Sequence, residues 1–344
     1  MQQMPPRAGK ALIDASRAFA GEYRARSWFH VVVTLSALLG CAGLAAALPW
    51  WPLRVVAALL EALLLLRTFA LYHDHMHGAL LRDSRFGAVL LRSAGVLMLA
   101  PPQVWADTHN AHHANTARPT ALPIGTFSLW TVARWRSASH GERLRYRIER
   151  SPITMLLGYL TVFLGALCLL PFVKQPRRYK SSGLALVLHL GGSVALCWAF
   201  GVGVYVTTVL VPYAIACGIG SYLFYTQHNA PGIELRAESA WSHDQAALRG
   251  STHLVTGRLM RWFTGNIGLH HVHHLNARIP FYRLPETMAA LPELQNPIVT
   301  TLAPRDVLAC LRVALWEPTS NRMVALGELR GARGEVASRQ SVRA

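Results

Sequence analysis

Nine of the chain's 16 histidines fall into a pattern that can do chemistry. "YHDHMHG" sets His73 and His77 four residues apart, "THNAHHANT" sets His109, His112 and His113 in the spacing HxxHH, and "LHHVHHLN" repeats that spacing with His270, His273 and His274. His228 stands in "TQHNAPG". A neutral imidazole nitrogen is the commonest protein ligand for transition ions near neutral pH, and helix residues three or four apart share a face. Each cluster therefore aims two or three imidazoles at one point, while His75 and His271 point elsewhere. Ordinary packing offers no common reason for so many adjacent imidazoles.

Nine ligands exceed the four to six positions of one ion and suit two, so the spacing implies a binuclear centre. Zinc, copper, iron and nickel all accept nitrogen ligands, and spacing alone does not choose among them. His30, His140, His189, His243 and His253 stand singly and read as packed or interfacial side chains. Cys41, Cys168, Cys197, Cys217 and Cys310 are scattered, with no paired spacing for zinc, iron–sulfur or a redox disulfide.

The elements that must position these histidines are apolar. The chain is 52% hydrophobic and 15% charged, a balance shifted toward membrane proteins. No residue is charged from Ser27 to Leu53, a stretch with aromatic ends suited to a lipid interface. After "PWWP", a second apolar run from Val55 to Leu71 carries Glu61 and Arg67. Ser181 to Ile233 is again uncharged. At helical rise its apolar part is about 60 Å long, about twice the hydrocarbon thickness, so it must be two spans broken near "GVG" at 201–203.

Basic residues set the topology. If the amino-terminal segment with Arg7, Lys10, Arg17, Arg24 and Arg26 is cytoplasmic, two crossings return the chain to that side by Tyr72. "KQPRRYK" at 174–180 marks the same side, so Phe86 to Ala100 and Ile153 to Val173 should dip in and return or lie at the interface. All histidine clusters then fall on the cytoplasmic side. The expected protein is an all-α integral membrane protein with four transmembrane helices, at about 28–50, 55–72, 184–200 and 203–226, with interfacial or re-entrant helices and a cytoplasmic helical cap carrying the metal site. Residues 1–27 are expected to be a basic cytoplasmic tail, 28–316 the membrane domain, and 317–344 a basic disordered tail.

The net charge of +17 resides in tails and between apolar runs, without a nucleic-acid-binding motif, and suits an anionic leaflet. The polar, basic amino terminus contains no apolar core of a secretory signal.

With three histidine boxes in order, "QHN" after the last span, Trp241 with "HD" at 243–244, "SLWTVARWRSASHGERLRYRIERSP" and "WFTGNIGLHHVHHLNARIPFYRLPE", the sequence resembles the integral-membrane fatty acid desaturases, in particular the bacterial branch acting on acyl chains of lipids. The likeness runs from about Arg67 to Pro285. It implies two iron ions with O2 as co-substrate, removing two hydrogens from a methylene pair of a fatty acyl chain, and a place in the bacterial inner membrane with the site facing the cytoplasm. It assigns iron binding to His73, His77, His109, His112, His113, His228, His270, His273 and His274. The acyl-CoA branch has an asparagine one turn before the isolated histidine, where this chain has Phe224.

This chemistry needs a redox-active metal, which zinc is not, and a water-poor site. Carboxylates should orient the imidazoles, and Asp74, Asp107 and Asp244 are the nearest in sequence. Glu61 reads as a neutralised or snorkelling carboxylate within the bundle, and Trp241 as either a tunnel gate or a helix anchor. No iron–sulfur, haem or nucleotide-binding motif is present, so two electrons must come from an external donor, expected to be an acidic ferredoxin with its reductase. A hydroxylase or ketolase acting on alkanes, sterols or carotenoids would use the same ligands. A membrane metal transporter or sensor would instead need ionisable groups near mid-span, and a haem protein would need histidines facing across paired spans.

Overall fold

The computed structural model describes residues 6–118, 127, 129–236 and 238–329. Among them, four helices are long and apolar enough to cross a membrane: α2 (Arg24–Ala47), α3 (Trp51–Met76), Lys180–Phe200 and Val202–Thr226. Trp50 in extended geometry and Pro52 in the first turn start α3, so α2 and α3 form a tight hairpin. Gly201 at φ 85° separates the last two spans, which is why the long uncharged run breaks there.

Burial ranks these helices. In α3 61% of the most apolar stretch is buried, against 17% in each of the others, so α3 is the central post and the rest present apolar flanks. Leu39, Val187, Val194 and Trp198 are exposed on those flanks, the surface expected of a protein solvated by lipid. The chain is a helical membrane protein, with only short strands.

The two ambiguous apolar runs behave differently from the spans. Helix α4 (Arg85–Leu97) begins with Ser84 Oγ accepting from the Gly87 amide and is bent by 90° from α5 (Pro102–Asn115). The second run forms the helix Tyr159–Lys174, with π-helical geometry over Tyr159–Leu169. It packs beside both later spans. Gly158 admits the Val202–Thr226 helix at close range, because a Cβ there would lie 2.7 Å from the Cys217 carbonyl and collide with Ser221.

A polar cap covers one end of the bundle. It contains α5, the helices Val132–Ser137, His140–Glu149, His243–Arg249, Arg258–Phe263 and His270–Leu275, and two small sheets. Thr252–Val255 pairs in parallel with Ile298–Thr301, and Val313–Glu317 pairs with Trp130–Thr131 and with Arg322–Ala325.

Both terminal expectations need correction. The segment before residue 28 does not trail as a tail: α1 (Lys10–Ser16) buries Leu12 beside Val272 and Leu275 of the cap, and the Gly9 amide donates to Asp244 Oδ2 at 2.8 Å. Its apolar Leu12, Ile13 and Phe19 drive that docking. Nor does order stop at Glu317, because Met323 and Val324 are buried by the Arg322–Ala325 strand. The remainder of the expected carboxy-terminal tail, 330–344, lies outside the described residues.

Candidate metal centre

The polar cap collects all nine histidines into two groups. His73, His77, His109, His113 and His273 form one, and His112, His228, His270 and His274 the other, the ligand atoms of each lying within 4.8 Å of one another. Helical phase explains the division. Residues four apart stay together (His73 with His77, His109 with His113, His270 with His274), and the intervening His112 and His273 face the other group. The two HxxHH boxes are thus wedges between two centres.

Each histidine is held by a different device. The last turn of α3 supplies His73, with His77 at its carboxy-terminal cap. Pro102 starts α5 at the sharp bend, so α5 carries His109, His112 and His113 across the bundle end. The chain leaves the last span at Thr226 and turns back, placing His228 under the Gly250 carbonyl, 2.9 Å from its Nδ1. The short helix His270–Leu275 is buried throughout.

The nitrogen geometry fits metal ions. His73 Nε2 and His109 Nε2 are 2.9 Å apart, His109 and His113 3.1 Å, and His113 and His273 3.2 Å. In the second group His228 and His270 are 2.9 Å apart, His270 and His274 3.0 Å, and His274 and His112 3.3 Å. Two nitrogens bound at right angles to one ion, each about 2.1 Å from it, lie about 3.0 Å apart. A chain of ring nitrogens turned toward one another at that spacing satisfies no hydrogen-bond pattern as a whole, since one proton serves only one pair. His77 Nε2 is buried in the same group without a partner. A shared cation satisfies them together.

Electrostatics favour the ligating form. Burial holds His77, His109, His112, His113, His270, His273 and His274 well below the ordinary imidazole range, and the neighbouring imidazoles push the same way. Burial lowers His228 to about 4 against the opposing hydrogen bond to Gly250. The cluster is therefore neutral at physiological pH, with lone pairs available.

The sequence-adjacent carboxylates divide. Asp74 Oδ1 lies 3.4 Å from His73 Nδ1, while its Oδ2 accepts from the Phe281 amide at 2.6 Å. Asp107 instead pairs with Arg178 at 2.8 Å, and Asp244 holds the Gly9 amide, so neither orients a clustered imidazole. Partners that sequence reasoning missed are Thr116 Oγ1, 3.3 Å from His274 Nδ1, and Trp105, whose ring stacks on His109 at 4.4 Å and 22°. Trp105 precedes His109 by one helical turn, a spacing visible in the sequence. Phe224 packs against His109 and His112.

The unclustered histidines have separate uses. His75 Nδ1 meets the Leu80 carbonyl, His271 Nε2 that of Leu294, and His243 Nε2 that of Leu275. His189 contacts the Tyr159 hydroxyl and His30 the Arg67 guanidinium. Trp241 donates to the Thr116 carbonyl at 2.9 Å and does not line the cavity below, which favours the anchor over the gate. Glu61 is buried in α3 with Oε2 unpartnered.

A cavity of about 520 Å³ runs from His109 and Trp105 into the bundle. Phe69 and Leu65 line it one and two turns before His73 on the same α3 face, opposite Phe163, Gly220 and Phe224. Arg145 and Glu149 stand among its polar lining residues. Such a slot admits a long apolar chain and leads it to the histidines.

The fatty acid desaturase family model matches residues 45–301 of this chain. A fatty acid desaturase of Bacillus subtilis (strain 168) is 31% identical over 280 residues, covering 79% of this chain and 77% of that protein. An sn-1 oleoyl-lipid 12-desaturase of Picosynechococcus sp. is 23% identical over 272 residues, covering 78% and 77% respectively. The corresponding sn-1 oleoyl-lipid 12-desaturase of Arthrospira platensis is 23% identical over 276 residues, covering 76% and 74%.

Proposed function

Because this chain belongs to the fatty acid desaturase family, and is therefore an oxidoreductase of the membrane, we propose that its two histidine groups hold two iron ions and that it desaturates a lipid-linked acyl chain with O2. The observation that carries the reading is the apolar cavity ending at His109, beside both nitrogen groups. His73, His77, His109, His113 and His273 would hold one ion, and His112, His228, His270 and His274 the other.

The iron pair with O2 would supply the oxidant: a CH2–CH2 pair, O2, two electrons and two protons become CH=CH and two waters. Leu65, Phe69, Phe163 and Phe224 bind the acyl chain by apolar contact and keep bulk water from it. Trp105 fixes the His109 ring from the cavity side, and Asp74 and Thr116 fix His73 and His274. These contacts position a methylene pair against the imidazole-bound centre, where orientation counts for much of the rate.

The amino-terminal basic segment docks on the cap, which supports placing the cap in the cytoplasm, at the bacterial inner membrane. The two electrons come from an external donor, an acidic ferredoxin with its reductase, steered by the basic cap. Turnover with purified ferredoxin should fall as ionic strength rises; insensitivity to salt would remove the steering argument.

The test is oxygen uptake by iron-loaded protein in lipid nanodiscs with ferredoxin, its reductase and NADPH. The reading expects one double bond formed per O2 consumed. Accumulation of a hydroxylated product at that stoichiometry instead would assign the chain to hydroxylation.

A further inference from the structure

A second pocket, of about 320 Å³, lies on the far side of α3 from the acyl cavity. Four arginines line it, Arg26, Arg67, Arg258 and Arg261, together with Trp262 and Asn266. Arg67 follows Leu65 by two residues, or about 200° of helix, which turns it away from the cavity that Leu65 and Phe69 line.

The charge in this pocket meets aromatic rings rather than an ion-pair partner: the Trp262 ring faces Arg67 at 3.8 Å and the Tyr282 ring faces Arg26 at 4.6 Å. Among the described residues, no carboxylate lies within ion-pair distance of any of the four, and the nearby Glu286 is bonded to Arg283 at 2.9 Å. Arg67 is 1% exposed. Its Nε donates to Thr34 Oγ1, one Nη to the Trp262 carbonyl, and the other lies 3.1 Å from His30 Nδ1, all neutral partners. A buried guanidinium without a counter-charge is costly, and three further guanidinium groups at the same opening raise that cost unless an anion enters. Arg67 thus forms the buried floor of a cationic pocket, and the exposed Arg26, Arg258 and Arg261 stand around its opening.

Its place selects the anion. Arg26 opens α2 at the cap end of the bundle, and the helix Arg258–Phe263 lies beside α3 at that level. Phe29 and Leu259, the chain neighbours of the lining residues His30 and Arg258, are 61% and 72% exposed, so an apolar rim adjoins the exposed arginines at the opening. Guanidinium forks match phosphate oxygens in pairs, and an apolar rim beside them suits acyl tails.

We infer that this pocket binds a phosphate group, carried by an anionic phospholipid of the adjoining leaflet or by a soluble phosphate, at a site separate from the acyl cavity. Asn266 donates to the Phe281 carbonyl, and the Phe281 amide donates to Asp74 beside His73, so an occupant braces the strand of chain that sets Asp74. The inference needs no turnover and stands independently of the proposed reaction.

The test uses the full chain in detergent, with lipid retention followed by native mass spectrometry. Probes are phosphatidylglycerol, diacylglycerol of the same chains, and inorganic phosphate. The expected result is retention of phosphatidylglycerol over diacylglycerol by the wild type, weakened at least about tenfold in R258Q/R261Q, as for withdrawal of two charged donors. The exposed pair R305Q/R312Q, which removes equal charge elsewhere, should retain it, with metal content unchanged in both variants. Displacement of the lipid by millimolar inorganic phosphate would name soluble phosphate as the ligand, and resistance would name the lipid. Equal retention of phosphatidylglycerol by wild type and R258Q/R261Q would overturn the site, as would loss of ferredoxin binding in that variant with lipid retention intact.

Discussion

His112 and His274, 162 residues apart in sequence, face each other with their Nε2 atoms 3.3 Å apart. Only a few ångströms away, His113 and His273, their immediate neighbours, face each other at 3.2 Å in the other group. Two adjacent pairs thus serve two centres, and their loss should be separable. His273→Ala is expected to lower the metal content from about two ions per chain to about one, and His274→Ala likewise, with the double variant near zero. Metal analysis of folded protein by mass spectrometry checks this; complete loss of both ions in each single variant would mean one shared centre.

Asp74 is the carboxylate that touches a clustered histidine. Asp74→Ala should weaken metal binding by about 10-fold to 100-fold, while Asp74→Asn, which keeps an acceptor for the Phe281 amide, should lose less. Chelator competition measures both. Equal affinity in Asp74→Ala and wild type would reduce Asp74 to a brace for Phe281.

Gly220 lines the acyl cavity, and a Cβ there would meet Leu66 at 3.7 Å and Phe163 at 3.8 Å, ordinary contacts. A larger side chain therefore fits at the backbone and grows into the slot. Gly220→Leu should leave metal content and folding intact and reduce conversion of the longest acyl chains most, by at least about tenfold. A product profile unchanged in chain length would show that the acyl chain lies elsewhere.

Docking of the amino-terminal segment depends on pH through Glu293. The Arg7 side chain, hydrogen-bonded to it, holds its carboxyl at about 2, below the ordinary value of 4.5. A depressed value contributes stability that is present above 4.5 and is lost as pH falls from there toward 2. Hydrogen exchange in α1 should be flat from neutral pH to about 5 once corrected for intrinsic rates, then accelerate on acidification. Glu293→Gln should show the faster exchange already at neutral pH; a variant that exchanges like wild type would dismiss the pair.

The helix-face rule made the histidine sets legible, because residues four apart face together whatever the tertiary fold. The four spans were legible for a similar reason: Ser27 to Leu53 and Ser181 to Ile233 have no charge to place, and Gly201 marked the break. The sequence could not say which box meets which, since His113 reaches His273 only when α5 swings across the bundle after its 90° bend. Asp107 and Asp244 misled because proximity along the chain is not proximity in space; Asp244 answers to Gly9, 235 residues away. The carboxy-terminal strand escaped notice because four residues, Arg322–Ala325, gain their order from Val313–Glu317 rather than from any pattern of their own.

The central claim is that this histidine-bound centre desaturates an acyl chain. The most direct measurement is the fatty-acid methyl ester profile, by gas chromatography and mass spectrometry, of a host expressing the chain beside the same host expressing His273→Ala. The account predicts a new unsaturated fatty acid, located by derivatising its double bond, that disappears in the variant at equal protein level. The same new product at the same level from His273→Ala, or none from the iron-loaded wild type supplied with ferredoxin, would contradict it.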